Sequence, residues 1–337
     1  MHNKNNGNVL GLKMFYQIQI RFCIILMTTL FLASCSKDKS LENEISKIDI
    51  DYTIERFDKA FYNANSKDLS NLKQVFPFLF SKKIPDSIWE KRINDTLRKS
   101  LMLEVNKKFS DIKVVKNELK GLFQHLKYYD KTFKIPRVIT LTNDVAYRDK
   151  TIVTDSITLI ALDNFLGADH EFYQNIPRYL ASNMKREQIA VDIANGYAEK
   201  YVYQSGKKTL LDEMIYYGKL LYFKDIVIPF KSDAEKIGYT EEQLSWAEAN
   251  EGPIWSYFVE KELLYSTDSK LLARFIMDAP FSKFYLELDR ESPGRLGQYI
   301  GWQIVRAFAD RTELSVFDII QTEPEEIFRK SRFKPKK

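Results

Sequence analysis

Along this chain the spacing of apolar residues changes character several times, and each change predicts a different element. Ile48, Ile50, Tyr52 and Ile54 alternate with Asp49, Asp51 and Thr53, the two-residue period of a half-buried strand. Helical spacing begins in RFDKAFY and continues from Ser87 to Lys127. There Ile88, Trp89, Ile93, Leu97, Leu101, Val105 and Phe109, followed by Leu119, Leu122, Phe123 and Leu126, mark two amphipathic helices. After Ile135-Pro136 the texture turns β-rich. VITLT, TIVT and ITLIALD are short runs separated by NDVAYRDK and DS, which predicts a small antiparallel sheet.

Helical spacing returns after Tyr179. REQIAVDIANGYAEKYVY sets Ile189, Ile193, Tyr197 and Tyr201 on one stripe, and TLLDEMIYYGKLLYF continues with Leu210, Met214 and Leu221. The next helix, EEQLSWAEANEGPIWSYFVEKELLY, is expected to break at Gly252-Pro253, because proline has no N–H for the helical ladder. The last, GQYIGWQIVRAF, is entered from the turn-forming ESPGR. Helices, a small sheet and further helices make the fold class α+β and mostly helical. No internal repeat or low-complexity linker divides residues 47–337, which are read as a single globular domain.

The N-terminus has a different character. Lys4, Lys13 and Arg21 precede the apolar run Phe22 to Leu32, which is too short for a permanent span and matches the hydrophobic region of a secretory signal. It closes on Leu32-Ala33-Ser34-Cys35, which looks like a bacterial lipobox. Residues 1–34 are therefore read as a lipoprotein signal, Cys35 as the lipidated residue, and 35–46 as a polar tether. A diacyl anchor is strong enough for stable membrane attachment. The only other cysteine, Cys23, lies inside the signal, so the mature domain is stabilised by packing without disulfides. Removing the signal leaves 48 basic against 46 acidic residues. So even a balance gives no electrostatic footprint for nucleic acid.

Candidate chemistry is sparse. His170-Glu171, three residues before Gln174, is one residue type short of the H-E-x-x-H of a zinc peptidase. Only three histidines are present; His2 lies in the signal, leaving His125 and His170, and Pro177 disfavours a continuing helix. A zinc site therefore lacks its second and third ligands. No G-x-S-x-G elbow, phosphate-binding glycine loop or cysteine nucleophile is present, which excludes the common nucleotide enzymes and leaves no cofactor to expect. Carboxylates are plentiful, so an envelope hydrolase working through paired carboxylates or an oxygen-ligated metal stays open as the alternative. A glycan-binding lipoprotein is a third reading, since the 19 Tyr and 23 Phe suit a binding surface as well as a core.

Several long segments carry a resemblance. ERFDKAFY, HLKYYDKTFKIPRVITLTNDVAY, LIALDNFLGADHEFY, GYTEEQLSWAEANEGPIWSYFVEKELLYSTD and APFSKFYLELDRESPGRLGQYIGWQIVRAF together resemble the gliding-motility lipoprotein family GldB. The resemblance implies a cell-envelope lipoprotein needed for surface gliding, with protein partners in a machinery coupled to type IX secretion. Ser36-Lys37-Asp38-Lys39 is no clear surface-export tag, so a periplasm-facing anchor is expected.

A more distant similarity is to predicted zinc peptidases whose helices read A-H-E-x-x-H and E-G-x-A-x-Y. It sets the two histidine positions on Val191 and Asn195, the catalytic glutamate on Asp192 and the third ligand on Tyr217, so every ligand is lost. That implies a zincin-like, degenerate peptidase fold without catalysis or metal, whose groove persists for binding. Asp192, Asn195 and Tyr217 are its candidate lining, with His170 and Glu171 at the rim and Asn250, Glu251, Trp255, Tyr299 and Trp302 beside them. Polar groups next to aromatics suit peptide recognition.

Overall fold

A computed structural model describes residues 40–336. Residues 40–49 belong to a separate unit and carry a helix over 40–46; residues from Ile50 onward form the unit considered below. The expected signal and Cys35 lie outside the described residues. No helix among the described residues is long and apolar enough to cross a membrane.

The class is α+β, with a four-stranded sheet flanked by many helices. The strands are β1 (Ile54–Arg56), β2 (Arg137–Leu141), β3 (Thr151–Val153) and β4 (Ile157–Ala161). Their order is β1-β2-β4-β3, and the sheet is mixed where an antiparallel one was expected. β1 runs parallel to β2 and β2 parallel to β4; only β3 is antiparallel, to β4. The physical reason lies in the connections. A parallel pair needs a long crossover, which the helices between β1 and β2 supply, and the loop 142–150 carries the chain past β2 so that β3 forms the outer edge. The tight turn at Asp155-Ser156 then makes the one hairpin, closed by Thr154 N–H donating to Ile157 O at 2.9 Å. The alternation before Ile54 yields only three strand residues, because β1 has a ladder partner only over Ile54 to Arg56.

Two helical expectations need correction. The stretch from Ile88 to Phe109 is two helices, Asp86–Asn94 and Thr96–Lys108, because the Asp95 carboxylate accepts from Arg98 N–H and so caps a new start. The break near Gly252-Pro253 falls instead at Asn250, between helices Glu241–Ala249 and Glu251–Glu260. Proline is tolerated in the first turn, where its missing N–H has no intrahelical partner to lose.

Four long helices position the site: α1 (Lys113–Tyr129), α2 (Ile189–Tyr201), α3 (Leu210–Val227) and α4 (Leu296–Ala309). The centre of the fold is α3. Its start is fixed by a capping box between Thr209 and Asp212, and most of its circumference is buried. The main apolar core joins it to α4 and to the following helices through Met214, Tyr299, Trp302, Ile304 and Phe308. Where α3 and α4 cross, Gly218 and Gly301 bring the backbones into direct contact: a Cβ on Gly301 would stand 1.7 Å from Met214 O. A second, aromatic cluster of Phe76, Phe80 and Trp89 lies under Ile139 of β2.

Candidate functional site

A cavity of about 640 Å³ opens among α2, α3, the loop 142–150 and the segment 177–188. Gln188, the N-cap residue of α2, and Val191, Asp192 and Asn195 on it recur at helical spacing and face it together. On α3 the corresponding stripe is Tyr217, Leu221 and Lys224. Thus Val191, Asp192, Asn195 and Tyr217, which the sequence comparison placed on two separate helices, share one chamber. A larger open depression of about 790 Å³ lies beside Glu323 and Arg329. Its Lys207 and Glu325 pair with each other at 2.9 Å, and both are well exposed, which makes it the weaker candidate.

The cavity is rich in cations. Arg148, Lys150, Lys224, Lys236 and Arg295 line it against the carboxylates of Asp192 and Asp278. Lys150 Nζ stands 2.6 Å from Asp192 Oδ2, an ion pair approached away from the hydrogen-bonding direction. Arg295 lies 3.5 Å from Asp278 and donates to Gly238 O at 3.1 Å. Lys236 turns its ammonium outward to Asp225 at 3.0 Å and Asp233 at 3.3 Å, while its carbonyl accepts from Lys224 Nζ at 3.2 Å. Burial pushes the Lys224 ammonium down to about 8 and pushes the Tyr217 phenol up.

The remaining sequence candidates lie elsewhere. His170 caps the short helical turn Glu171–Tyr173 by accepting from Phe172 N–H, and its Nε2 stands 3.4 Å from Glu104. Neither His170 nor Glu171 lines the cavity. His125 is buried on α1, its Nδ1 donating to Gly121 O at 2.8 Å. Asn250 donates to Trp246 O at 2.8 Å at the helix break, and Trp255 packs against Phe328 and Phe333. Tyr299 donates to buried Glu251 at 3.0 Å, and Trp302 Nε1 donates to Asp225 at 2.8 Å. Of these five residues only Tyr299 and Glu251 bond to each other, and all five find their partners away from the cavity. Among the described residues no three His, Cys, Asp or Glu side chains come together as a metal-holding group.

Sequence reasoning missed the cations of the chamber, Lys224 above all. Its signal is nonetheless present, since Tyr217, Leu221 and Lys224 fall at i, i+4 and i+7, putting a lysine in a stripe otherwise built for burial.

The stretch Ala161 to Leu180 builds the chamber wall. Asp163, fully buried after β4, accepts from Val145 N–H at 2.8 Å and from Asn143 N–H at 3.1 Å. Those bonds hold Asp144 and Val145 at positive φ and so aim Tyr147 and Arg148 at the cavity. Tyr173 OH donates to Asp163 O at 2.7 Å and accepts from Leu166 N–H at 2.9 Å, tying the other side.

Burial pushes the Asp163 carboxyl up to about 6, against backbone N–H donors that pull it down. A raised carboxyl binds its proton more readily folded than unfolded, so this group's contribution to stability rises as pH falls from about 6 to about 4. Urea unfolding of the wild type and Asp163→Asn across that window should show their stability difference shifting by about 2–3 kcal/mol in favour of the wild type at the acid end. A difference independent of pH would remove the assignment.

No curated protein and no solved structure matches this chain. A family model described as gliding motility protein GldB matches residues 38–335, and the chain belongs to that family of cell-envelope lipoproteins involved in gliding motility.

Proposed function

We propose that this chain is a non-catalytic binding component of the gliding apparatus, anchored by lipid at Cys35 facing the periplasm, whose chamber holds a polypeptide segment of a partner. A link of that partner to type IX secretion belongs to the same proposal. The observation that carries it is the meeting of Asp192, Asn195 and Tyr217 in one chamber with tyrosine and amide side chains. Aromatic and amide groups around a concave, half-apolar surface suit extended peptide. Among the described residues no imidazole lines the chamber, and Lys150 occupies the Asp192 carboxylate, so neither is a free base of the kind hydrolysis needs.

Filling the chamber tests the reading. Asn195→Trp in the full-length lipoprotein should stop surface gliding while the protein accumulates and melts as the wild type does. A photo-crosslinker at Tyr179, exposed at the mouth, should lose its cross-linked gliding component in the same variant. Normal gliding by Asn195→Trp would end the proposal. So would peptide or glycan hydrolysis by the purified protein that disappears in Asp192→Ala and Glu171→Ala.

A further inference from the structure

We propose that the chamber recognises a carboxylate carried by the partner polypeptide, with Lys224 Nζ as the buried anchor and Arg148 as the cation at the mouth. This rests on the reading of the chamber as a binding site and names the chemistry that it takes.

The inference comes from comparing the buried lysines, Lys219, Lys224, Lys231 and Lys236. An ammonium carries three donors, and burying it without partners is costly. Lys231 is matched by Glu118 at 2.8 Å and Glu235 at 3.3 Å. Lys236 is matched by Asp225 and Asp233. Lys219, a structural tie, donates to the carbonyls of Tyr203 and Thr322. Lys224 has one carbonyl, that of Lys236, and among the described residues no carboxylate within ion-pair distance. It is also a chamber-lining residue, so a ligand in the chamber is placed to take up its two remaining donors.

Among the described residues no chamber carboxylate pairs with it. Asp192 is engaged by Lys150, Asp278 lies with Arg295, and among the described residues Arg148 has no carboxylate within ion-pair distance and the ring of Tyr147 beside it, 6.0 Å away. Two cations therefore stand unmatched, one buried on α3 and one exposed on the loop 142–150. A carboxylate presents two acceptor oxygens, and charge-assisted bonds of this kind are the stronger class. Tyr147, Tyr179 and Tyr217 with Leu180 and Val191 provide room for the backbone and side chains that bring the carboxylate in.

An ammonium buried with one acceptor for its three donors lowers stability, as expected where the missing partner is a ligand. The groups acting on it are its own burial first, then Asp192, Arg295, Glu199 and Lys150, with the Lys236 carbonyl in contact. A bound carboxylate favours the charged form, so binding is coupled to protonation of Lys224 and weakens as pH rises through about 8.

The test uses the full-length lipoprotein in detergent and calorimetric titration with four probes. They are N-acetylated tetra-alanine with a free C-terminal carboxylate, the same peptide as its C-terminal amide, N-acetylated Ala-Glu-Ala amide, and inorganic phosphate. The expected result is saturable binding by one or both carboxylate peptides and none by the tetra-alanine amide. The two carboxylate arms tell a chain terminus from an acidic side chain, and tighter binding by phosphate than by either would overturn the carboxylate assignment. Affinity should fall by roughly tenfold per pH unit above about 8. Lys224→Met should abolish binding and raise the melting temperature of the empty protein. Arg148→Ala, on an exposed loop, should weaken binding several-fold without moving the melting temperature.

Equal binding of acid and amide, or unchanged binding by Lys224→Met, would overturn the inference while leaving a peptide site in place. Absence of saturable binding by every probe would also overturn it. The broader proposal would still stand or fall on gliding by Asn195→Trp.

Discussion

Replacing Asp225 by alanine should lower stability by about 3–5 kcal/mol, the cost of leaving buried charge without its partner. Four donors converge on this one carboxylate. Arg306 gives Nε and Nη2, each at 2.8 Å, Trp302 gives Nε1 at 2.8 Å, and Lys236 gives Nζ at 3.0 Å. Arg306 also lies over the Trp302 ring, 3.8 Å from its centroid, so the guanidinium is fixed by geometry as well as by charge. Asp233 shares Arg306 and Lys236, and although burial pushes its carboxyl up, bonding to Arg306 outweighs this and holds it below the usual range. Without Asp225, a single partly exposed carboxylate faces two cations, and the Trp302 N–H is orphaned in the core.

Domains are typically stable by about 5–15 kcal/mol, so the loss is a large fraction of the total. Urea unfolding followed by circular dichroism measures it directly. Asp225→Asn, which keeps an acceptor but not the charge, should fall between Asp225→Ala and wild type. A loss under about 1 kcal/mol for Asp225→Ala would show that the network contributes as little as a surface pair. The prediction also bears on function. Lys236 is held by Asp225, and among the described residues its carbonyl is the one acceptor of the Lys224 ammonium, so the variant should disturb the chamber as well.

Much of this fold is written in apolar periodicity, and the failures mark where periodicity says nothing. The stripes of α2, α3 and α4 could be read directly because each helix buries a face against the others. Strand existence was legible in VITLT and ITLIALD, but strand direction was not. Direction depends on how the chain returns, and the loop 142–150 reveals its crossover only through the buried carboxylate of Asp163 that folds it. The split at Asp95 was available in principle, since aspartate is a preferred helix N-cap and its carboxylate here takes the Arg98 N–H. Continuous apolar spacing from Ile88 to Phe109 concealed it.

The chamber was half legible. Asp192, Asn195 and Tyr217 came from matching helix patterns, and the structure gathers them. Trp255, Tyr299 and Trp302 look the same in sequence as aromatics lining a groove, yet the last two are buried in the core. An aromatic on an amphipathic helix carries no mark of whether its neighbours are protein or ligand. The buried lysine was the more informative residue type, because a charge in an apolar stripe requires a partner that the sequence does not supply.

Gly301→Ala should destabilise the protein by about 3 kcal/mol, at the upper end of overpacking costs, although helix propensity alone argues the other way. In a helix interior, alanine is favoured over glycine by about 1 kcal/mol. At this crossing, however, the added Cβ would meet Met214 O at 1.7 Å and Met214 C at 2.3 Å. Those are backbone atoms of α3, which no rotamer change can move. The helices must separate, and the core between them loses contact along both.

Gly218→Ala meets Gly301 C at 2.3 Å and should have a similar effect. The double variant should lose less than the sum, since either Cβ alone already forces the same separation. Gly206→Ala is the control: nothing lies within 4 Å of its Cβ, and its stability should stay within about 0.5 kcal/mol of wild type. Denaturant midpoints at constant slope decide the outcome. Gly301→Ala as stable as wild type would mean that the helices yield freely at their closest approach. If instead the loss is as large as expected, α3 is held by its backbone against α4. The chamber face of α3, with Tyr217, Leu221 and Lys224, is then placed by that contact rather than by any residue lining the chamber.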